Sequence, residues 1–322
     1  MIDEILQKQI KFTIDKTNFP NLGSRYQGKV RDNYSKEGIR IIIATDRLSA
    51  FDRVITTIPF KGQILNQISS FWFEKTQNIS RNHLISVPDP NVSVVHECET
   101  VPIEMVIRGY ITGSLWRSYQ KDRVFSGIEF PAGLIKNQRL DEPIITPSTK
   151  AEHGHDIYIS KKEILEKNMV PKSVYDRMEE ATIKLFEFGQ KFSQENDLIM
   201  VDTKYEFGIK EGELMVIDEI HTPDSSRFWI ANTYEELFSE SKEPDILDKE
   251  FFRGWLMDSF PDIFPDIRPD QDIPPIPDDI KVKLAKRYVN NFEKITGFQF
   301  KPEGGEDLIE RLQNNLKGAG YL

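Results

Sequence analysis

Apolar residues along this chain keep short, β-branched company first and helical spacing later. Ile39-Arg40-Ile41-Ile42-Ile43-Ala44, the run from Val92 to Val95 and the run from Glu104 to Tyr110 each read as strands. Between them Ile64, Leu65, Ile68, Phe71 and Trp72 stand at i, i+1, i+4, i+7 and i+8, which predicts a helix over 62–73 packed on a sheet. A proline-marked loop is expected over 141–148. Beyond it Ser160 and Glu163 have the spacing of a capping box, and Met178, Ala181, Leu185, Phe188 and Phe192 predict an amphipathic helix over 174–192. Leu198 to Val201 and Leu214 to Ile217, around Gly208 and Gly212, predict a β-hairpin. Prolines at 261, 265, 269, 274, 275 and 277 predict an extended covering segment, and a last helix over 278–295 stops at Gly297.

Strands and helices in this order, with no internal repeat, predict an α+β protein: a mostly antiparallel N-terminal sheet, a central α/β domain and C-terminal helices. The expected divisions are 1–110, 111–245 and 246–322. With 42 Lys and Arg against 52 Asp and Glu, the net charge of −10 excludes a broad nucleic-acid surface but leaves room for a basic pocket holding a small anion. Cys98 is the one cysteine, so no intramolecular disulfide forms, and its neighbours Glu97 and Glu99 argue against a nucleophilic thiol. The chain has no long apolar run and no secretory pattern near Met1, so a cytoplasmic protein without membrane contact is expected.

The hairpin is where chemistry enters. Asp202, Lys204 and Glu206 alternate, so they project from one face of a strand. A three-residue loop over 211–213 puts Glu206 opposite Asp218, two carboxylates that need a cation or a proton between them; a two-residue loop puts Ile217 there instead. Facing carboxylates near phosphates suit Mg²⁺, while an isolated acidic strand face is more often simply solvated. Next comes His221-Thr222-Pro223-Asp224-Ser225-Ser226-Arg227, a turn that offers hydroxyls, a carboxylate and a guanidinium together.

Other loops carry cations beside glycine or hydroxyl groups. Gly28-Lys29-Val30-Arg31 forms a possible phosphate clamp without Walker spacing. Asp46, Ser49 and Asp52 follow the first apolar strand; Arg108, Gly109, Gly113 and Ser114 end another; Ser148 and Lys150 lie in a fourth loop. His153 and His155 flank Gly154 without a third ligand at metal spacing, which reads as a surface loop.

Together the segments GKVRD at 28–32, ATDRLSAFD at 44–52, KGQILNQIS at 61–69, VIRGYITGS at 106–114, TPSTKAE at 146–152, VDTKYEFG at 201–208 and DEIHTPDSSRFW at 218–229 resemble the SAICAR synthetase (phosphoribosylaminoimidazole-succinocarboxamide synthase) family of purine biosynthesis. The length resembles the longer, fungal-like branch. That resemblance implies a kinase-like and ATP-grasp-like nucleotide-binding arrangement, with ATP held between an N-terminal sheet and a central domain. It implies an ATP-dependent ligase that joins L-aspartate to the carboxylate of carboxyaminoimidazole ribonucleotide (CAIR), through an acyl phosphate. By resemblance Gly28, Lys29 and Arg31 serve ATP phosphates, Lys204 lies in the ATP site, and Glu206 and Asp218 hold Mg²⁺. Arg108, Ser114, Asp224 and Arg227 match ribonucleotide-binding positions, with Lys204, Arg108 and Arg227 at the reacting groups. Ser148, Lys150, Asp46, Ser49 and Asp52 fall in the substrate neighbourhood. Two other readings stay open on the residues alone: a small-molecule kinase on the same nucleotide fold, and a nucleotide-binding module without turnover.

Overall fold

The computed structural model describes residues 2–149, 157–247, 250–268 and 270–322. Packing divides the chain into two units, one formed by Met1–Phe71, Leu84–Glu97 and Asp248–Leu322, the other by Trp72–His83 and Cys98–Leu247. This cut differs from divisions at 110 and 245. The strand ending at Tyr110 pairs with residues 198–210 and goes with them, while the C-terminal leucines pack into the core of the N-terminal sheet.

In the first unit the strands Ser24–Gln27, Arg31–Lys36, Ile39–Ala44, Val92–His96 and Leu84–Asp89 lie in that order, all antiparallel. Alternation sends Tyr34, Ile41, Ile43, Val92 and Val94 into one core, where Leu308, Leu312 and Leu316 of the helix Leu308–Gly318 meet them. Those leucines are four residues apart, so one helix stripe covers the sheet, each side chain contributing about 1.5–3 kcal/mol by burial. The helix Asp278–Thr296 ends at Gly297, whose φ of 75° makes the left-handed cap expected of glycine there. Residues 260–277 form no helix or strand among those described, in keeping with their prolines.

The second unit centres on a seven-stranded antiparallel sheet. Its path runs Ile157–Tyr158, Ser148–Thr149, Glu99–Tyr110, Leu198–Lys210 and Glu213–Ile217, with Arg139–Ile145 added on Glu99–Tyr110 and Ser226–Ile230 on Leu198–Lys210. The region expected to be a loop over 141–148 is therefore largely strand. Pro143 is accommodated because it falls at the break in register between Arg139 and Ile144, where a missing N–H costs no ladder bond.

The helix Lys172–Glu195 lies under this sheet and buries Tyr175, Met178, Leu185 and Phe186. A Cβ on Gly109 would stand 3.0 Å from Gln190 Nε2 and 3.6 Å from the Phe186 ring, so the odd-numbered residues of Glu99–Tyr110 face the helix. Ile103, Met105 and Ile107 are accordingly buried, and the even-numbered residues are left for the other face. In the hairpin Lys210 pairs with Glu213, and Glu211 (φ 54°) and Gly212 (φ 81°) make a two-residue turn of the primed kind. Glu206 thus stands opposite Ile217, and the three-residue register that placed it opposite Asp218 is corrected.

Candidate active site

On the face of the second unit's sheet turned away from the helix Lys172–Glu195, Glu206, Lys204 and Asp202 stand beside Glu104, Val106 and Arg108 of the adjacent strand. The facing carboxylate pair exists, but its second member is Glu104. Lys204 Nζ lies 2.7 Å from Glu104 Oε1 and 2.8 Å from Glu206 Oε1, and those carboxylate side chains are only 5% and 7% exposed. Ser148, on the strand beyond, donates to Glu104 Oε2 at 3.2 Å. Burial alone would lower the Lys204 pKa, but the charges of Glu206, Glu104 and Asp218 prevail and hold it well above the usual lysine range. Lys204 is therefore a fixed cation at neutral pH, suited to neutralising phosphate charge and unsuited to taking up a proton.

Next to this trio the side chain of Arg108 is held on all sides. Its Nε donates to Thr146 Oγ1 at 2.9 Å, Nη1 to Asp202 Oδ2 at 3.4 Å, and Nη2 to Ser114 Oγ and Tyr158 OH at 3.2 Å each. Its guanidinium carbon also lies over the rings of Phe125 (5.4 Å) and Tyr158 (5.6 Å). Arg227, paired in register with Asp202, brings Nη1 to 3.3 Å from the same Oδ2. One aspartate thus serves two guanidinium groups, leaving a net positive patch fitted to a phosphate or a carboxylate. Gly113, with φ 56°, makes room for it: a Cβ there would stand 2.8 Å from Arg227 Nη2.

Between the hairpin and the strand Ser226–Ile230 the backbone reverses. Asp218 (φ 68°) and His221 (φ 55°) are both left-handed. Thr222 accepts from the Ser225 amide at 3.1 Å, and the Ser225 carbonyl accepts from the Lys204 amide at 3.2 Å, which fixes the turn carrying Asp224 to the central strand. Asp218 lies near enough to Lys204 for its charge to raise the lysine pKa, although it is not Glu206's partner across the ladder.

The first unit holds the remaining predicted residues. Gly28 and Lys29 form the turn before Arg31, the Gly28 amide donating to the Arg31 carbonyl at 2.8 Å. Arg47, which the sequence reading passed over, shapes that turn: its guanidinium donates to the carbonyls of Lys29 (2.9 Å) and Gly28 (3.1 Å) and to Asp32 Oδ1 (2.9 Å). Lys29 Nζ and Asp52 Oδ1 make an exposed ion pair at 2.6 Å, of a kind worth about 0–1 kcal/mol. Ser49 is half-buried on the strand Arg47–Ala50. Asp46 is fully engaged with the backbone, accepting from the amides of Ile14 (2.8 Å) and Gly62 (3.0 Å), and burial pushes its pKa up to about 6. It ties the start of the helix Lys61–Thr76 to the N-terminal segment.

The structure therefore gathers Glu206, Lys204, Arg108, Ser148 and Arg227 on one sheet, with Ser114 at the start of the helix Gly113–Asp122 and the turn of Asp218 and Asp224 beside them. Lys150, His153 and His155 lie outside the described residues. Glu104, Thr146 and Tyr158 were missed; alternation would have flagged Glu104 beside Arg108, but only strand pairing shows what it faces.

The α+β fold, with its antiparallel sheets and C-terminal helices, is of the ATP-grasp-like class to which the solved structures similar to it belong. The SAICAR synthetase family model matches residues 24–263, and the chain belongs to that family, the ATP-dependent ligases that join L-aspartate to CAIR in purine biosynthesis. It is 47% identical over 313 residues to the phosphoribosylaminoimidazole-succinocarboxamide synthase of Legionella pneumophila (strain Paris), covering 95% of this chain and 98% of that protein. To the chloroplastic enzyme of Arabidopsis thaliana it is 46% identical over 307 residues, 93% of this chain and 73% of that one. The SAICAR synthase of Saccharomyces cerevisiae complexed with SAICAR superposes with a TM-score of 0.77 at 33% identity, over 89% of this chain and 99% of that one. A type-2 SAICAR synthetase in complex with ADP superposes at 0.65 with 25% identity, over 86% and 100%. The near full-length bacterial match means that the longer form is not confined to fungi.

Proposed function

We propose that the ligation runs through an acyl phosphate, with the charged sheet face of the second unit holding the reacting groups. A carboxylate oxygen of CAIR attacks the γ-phosphorus of ATP and ADP leaves; the aspartate amine then attacks the acyl carbon and phosphate departs with that oxygen. Catalysis of this kind is mainly positioning and neutralisation of charge.

Arg108, Ser114, Arg227 and Asp224 are assigned to the ribonucleotide and its carboxylate, and Ser148 and Lys150 to the substrate neighbourhood. Lys204 is assigned to the transferring phosphoryl group. In the first unit Gly28, Lys29 and Arg31 are assigned to ATP phosphates, with Ser49 and Asp52 in the substrate neighbourhood. Asp46 keeps the anchoring role described above, because both its oxygens are taken by backbone amides.

Among the described residues no group of three His, Cys, Asp or Glu could hold a metal, so Mg²⁺ here would need nucleotide phosphates as further ligands beside the two carboxylates we assign to it, Glu206 and Asp218. Bound there, it would neutralise charge on the phosphates being parted. We place the enzyme in the cytoplasm with small-molecule substrates; no helix among the described residues is long and apolar enough to cross a membrane.

The observation that carries this reading is the meeting of Lys204 with Glu104 and Glu206 beside the Arg108–Asp202–Arg227 cluster. CAIR labelled with ¹⁸O in its carboxylate tests it: turnover should require L-aspartate and should deliver one ¹⁸O into inorganic phosphate. Unlabelled phosphate would rule out the acyl phosphate, and ADP release that continues over many turnovers without aspartate would rule out an acyl phosphate held for the amine.

A further inference from the structure

Two buried polar side chains of the second unit take no part in that chemistry. Tyr205 and His221 are fully buried, and Tyr205 Oη lies 2.5 Å from His221 Nε2. Tyr205 follows Lys204 in the central strand, so alternation sends it to the helix side of the sheet. There Trp72 and the imidazole meet edge to face with ring centres 4.6 Å apart, and a Cβ on Gly189 of the underlying helix would stand 2.7 Å from His221 Cε1. Burial raises the phenol pKa and lowers that of the imidazole to about 3, so both groups are neutral. With the phenol donating to Nε2, the imidazole proton sits on Nδ1, which has no hydrogen-bond partner among the described residues.

The backbone around His221 explains why such a group is kept. Asp218 and His221 both have positive φ, a conformation unfavourable for a side-chain-bearing residue, least so for Asp, that persists where the surroundings dictate it. The segment 218–225 leaves the hairpin, sends the His221 side chain to the helix side and comes back to accept the Lys204 amide on Ser225. Among the described residues the bond to Tyr205 is the one side-chain hydrogen bond that holds His221, and Tyr205 is the residue next to Lys204.

We propose that Tyr205 and His221 form a positioning pair for the ligation: their hydrogen bond fixes the segment 218–225 and with it the carboxylates of Asp218 and Asp224. The proposal rests on the assignment of those carboxylates to Mg²⁺ and the ribonucleotide. It also has a chemical signature. Removing one member leaves the other's polar atom buried without a partner, whereas replacing both by apolar groups of similar shape removes the problem.

The test uses Tyr205→Phe, His221→Leu and the double variant in the full chain, assayed well below the melting temperature, with Asp218→Asn and Asp224→Asn as references. Each single variant should lose about tenfold in kcat, the scale of a small misplacement, with KM for ATP unchanged, and the double variant should regain most of the loss. A slowly exchanging imidazole N–H resonance should shift in Tyr205→Phe and vanish in His221→Leu. Single variants that melt earlier but turn over normally would overturn the proposal, since that is the mark of a purely structural contact. A double variant no better than the worse single one would overturn it too. Full turnover in both Asp218→Asn and Asp224→Asn would instead remove the assignment of the carboxylates, and the proposal with it.

Discussion

Removing the Lys204 ammonium would leave Glu104 and Glu206 facing each other across adjacent strands, nearly sealed from water. Loss of one partner from a buried ion pair costs about 3–5 kcal/mol, and the lower end applies because a third of the Lys204 side chain reaches solvent. Lys204→Met should therefore lose about 3 kcal/mol in urea denaturation as well as turnover. A variant as stable as its parent would show that the two carboxylates do not oppose each other. Asp218 follows the opposite logic to the one its sequence position suggests. Were it opposite Glu206, Asp218→Asn would relieve repulsion; beside Lys204 it loses an attraction, so the ligand-free protein should melt at the same or a lower temperature while turnover collapses. At this scale the alternation of Asp202, Lys204 and Glu206 was legible, because a period of two needs no knowledge of neighbours. Glu104 was not legible as their partner, since it lies 100 residues earlier and tertiary pairing alone brings it to Lys204.

Elements were legible where the hydrophobic period was long, as in the helices Lys61–Thr76, Lys172–Glu195 and Asp278–Thr296 and the capping box at Ser160 and Glu163. They were less so where one turn decides the outcome. Glu211 and Gly212 close the hairpin in two residues rather than three, and that single step moves Asp218 out of the ladder. Prolines misled at 143, where a break in register admits one into a strand. The helix Gly113–Asp122 offers a test of how an element's end serves the site. Gly113 combines positive φ with a close approach to the Arg227 guanidinium, whereas Gly38 has φ 79° and open space around its missing Cβ. Both Gly→Ala variants should lose about 1–2 kcal/mol of stability from backbone strain. Gly113→Ala alone should also raise KM for CAIR by about tenfold, the loss of one charge-assisted hydrogen bond, with KM for ATP unchanged. Equal kinetics in the two variants would detach Arg227 from the ribonucleotide.

At the scale of the whole chain, the two packing units interleave along the sequence, so three of the four changes of unit fall where no proline-rich stretch or break in pattern was read. What composition cannot show, linkage can. Asp46 belongs to the first unit and His221 to the second, and burial moves them in opposite senses: the carboxyl up to about 6, the imidazole down to about 3. A raised acid makes the folded state bind more protons than the unfolded one, so the Asp46 contribution is full below its unfolded pKa of 3.8 and is lost as pH rises through 6. A depressed base does the reverse: the His221 contribution is full above 6.5 and is lost as pH falls toward 3. Between about pH 4 and 6 each group is linked to one proton, about 1.4 kcal/mol per pH unit, with opposite signs. Asp32 adds little in that window, because hydrogen bonds from Thr17 and Arg47 outweigh its burial, lower its pKa and move its loss to more acidic solution. The parent protein's dependence there should be shallow where one transition carries both groups, or split into two opposite slopes where each unit unfolds separately. Asp46→Asn should then make stability climb more steeply from pH 4 to 6, and His221→Leu should make it climb less or fall. Denaturant titrations of the three proteins at pH 4, 5 and 6 decide the matter, since every other ionisable group is common to them. Three parallel curves would show that neither buried group keeps its displaced pKa in the folded chain.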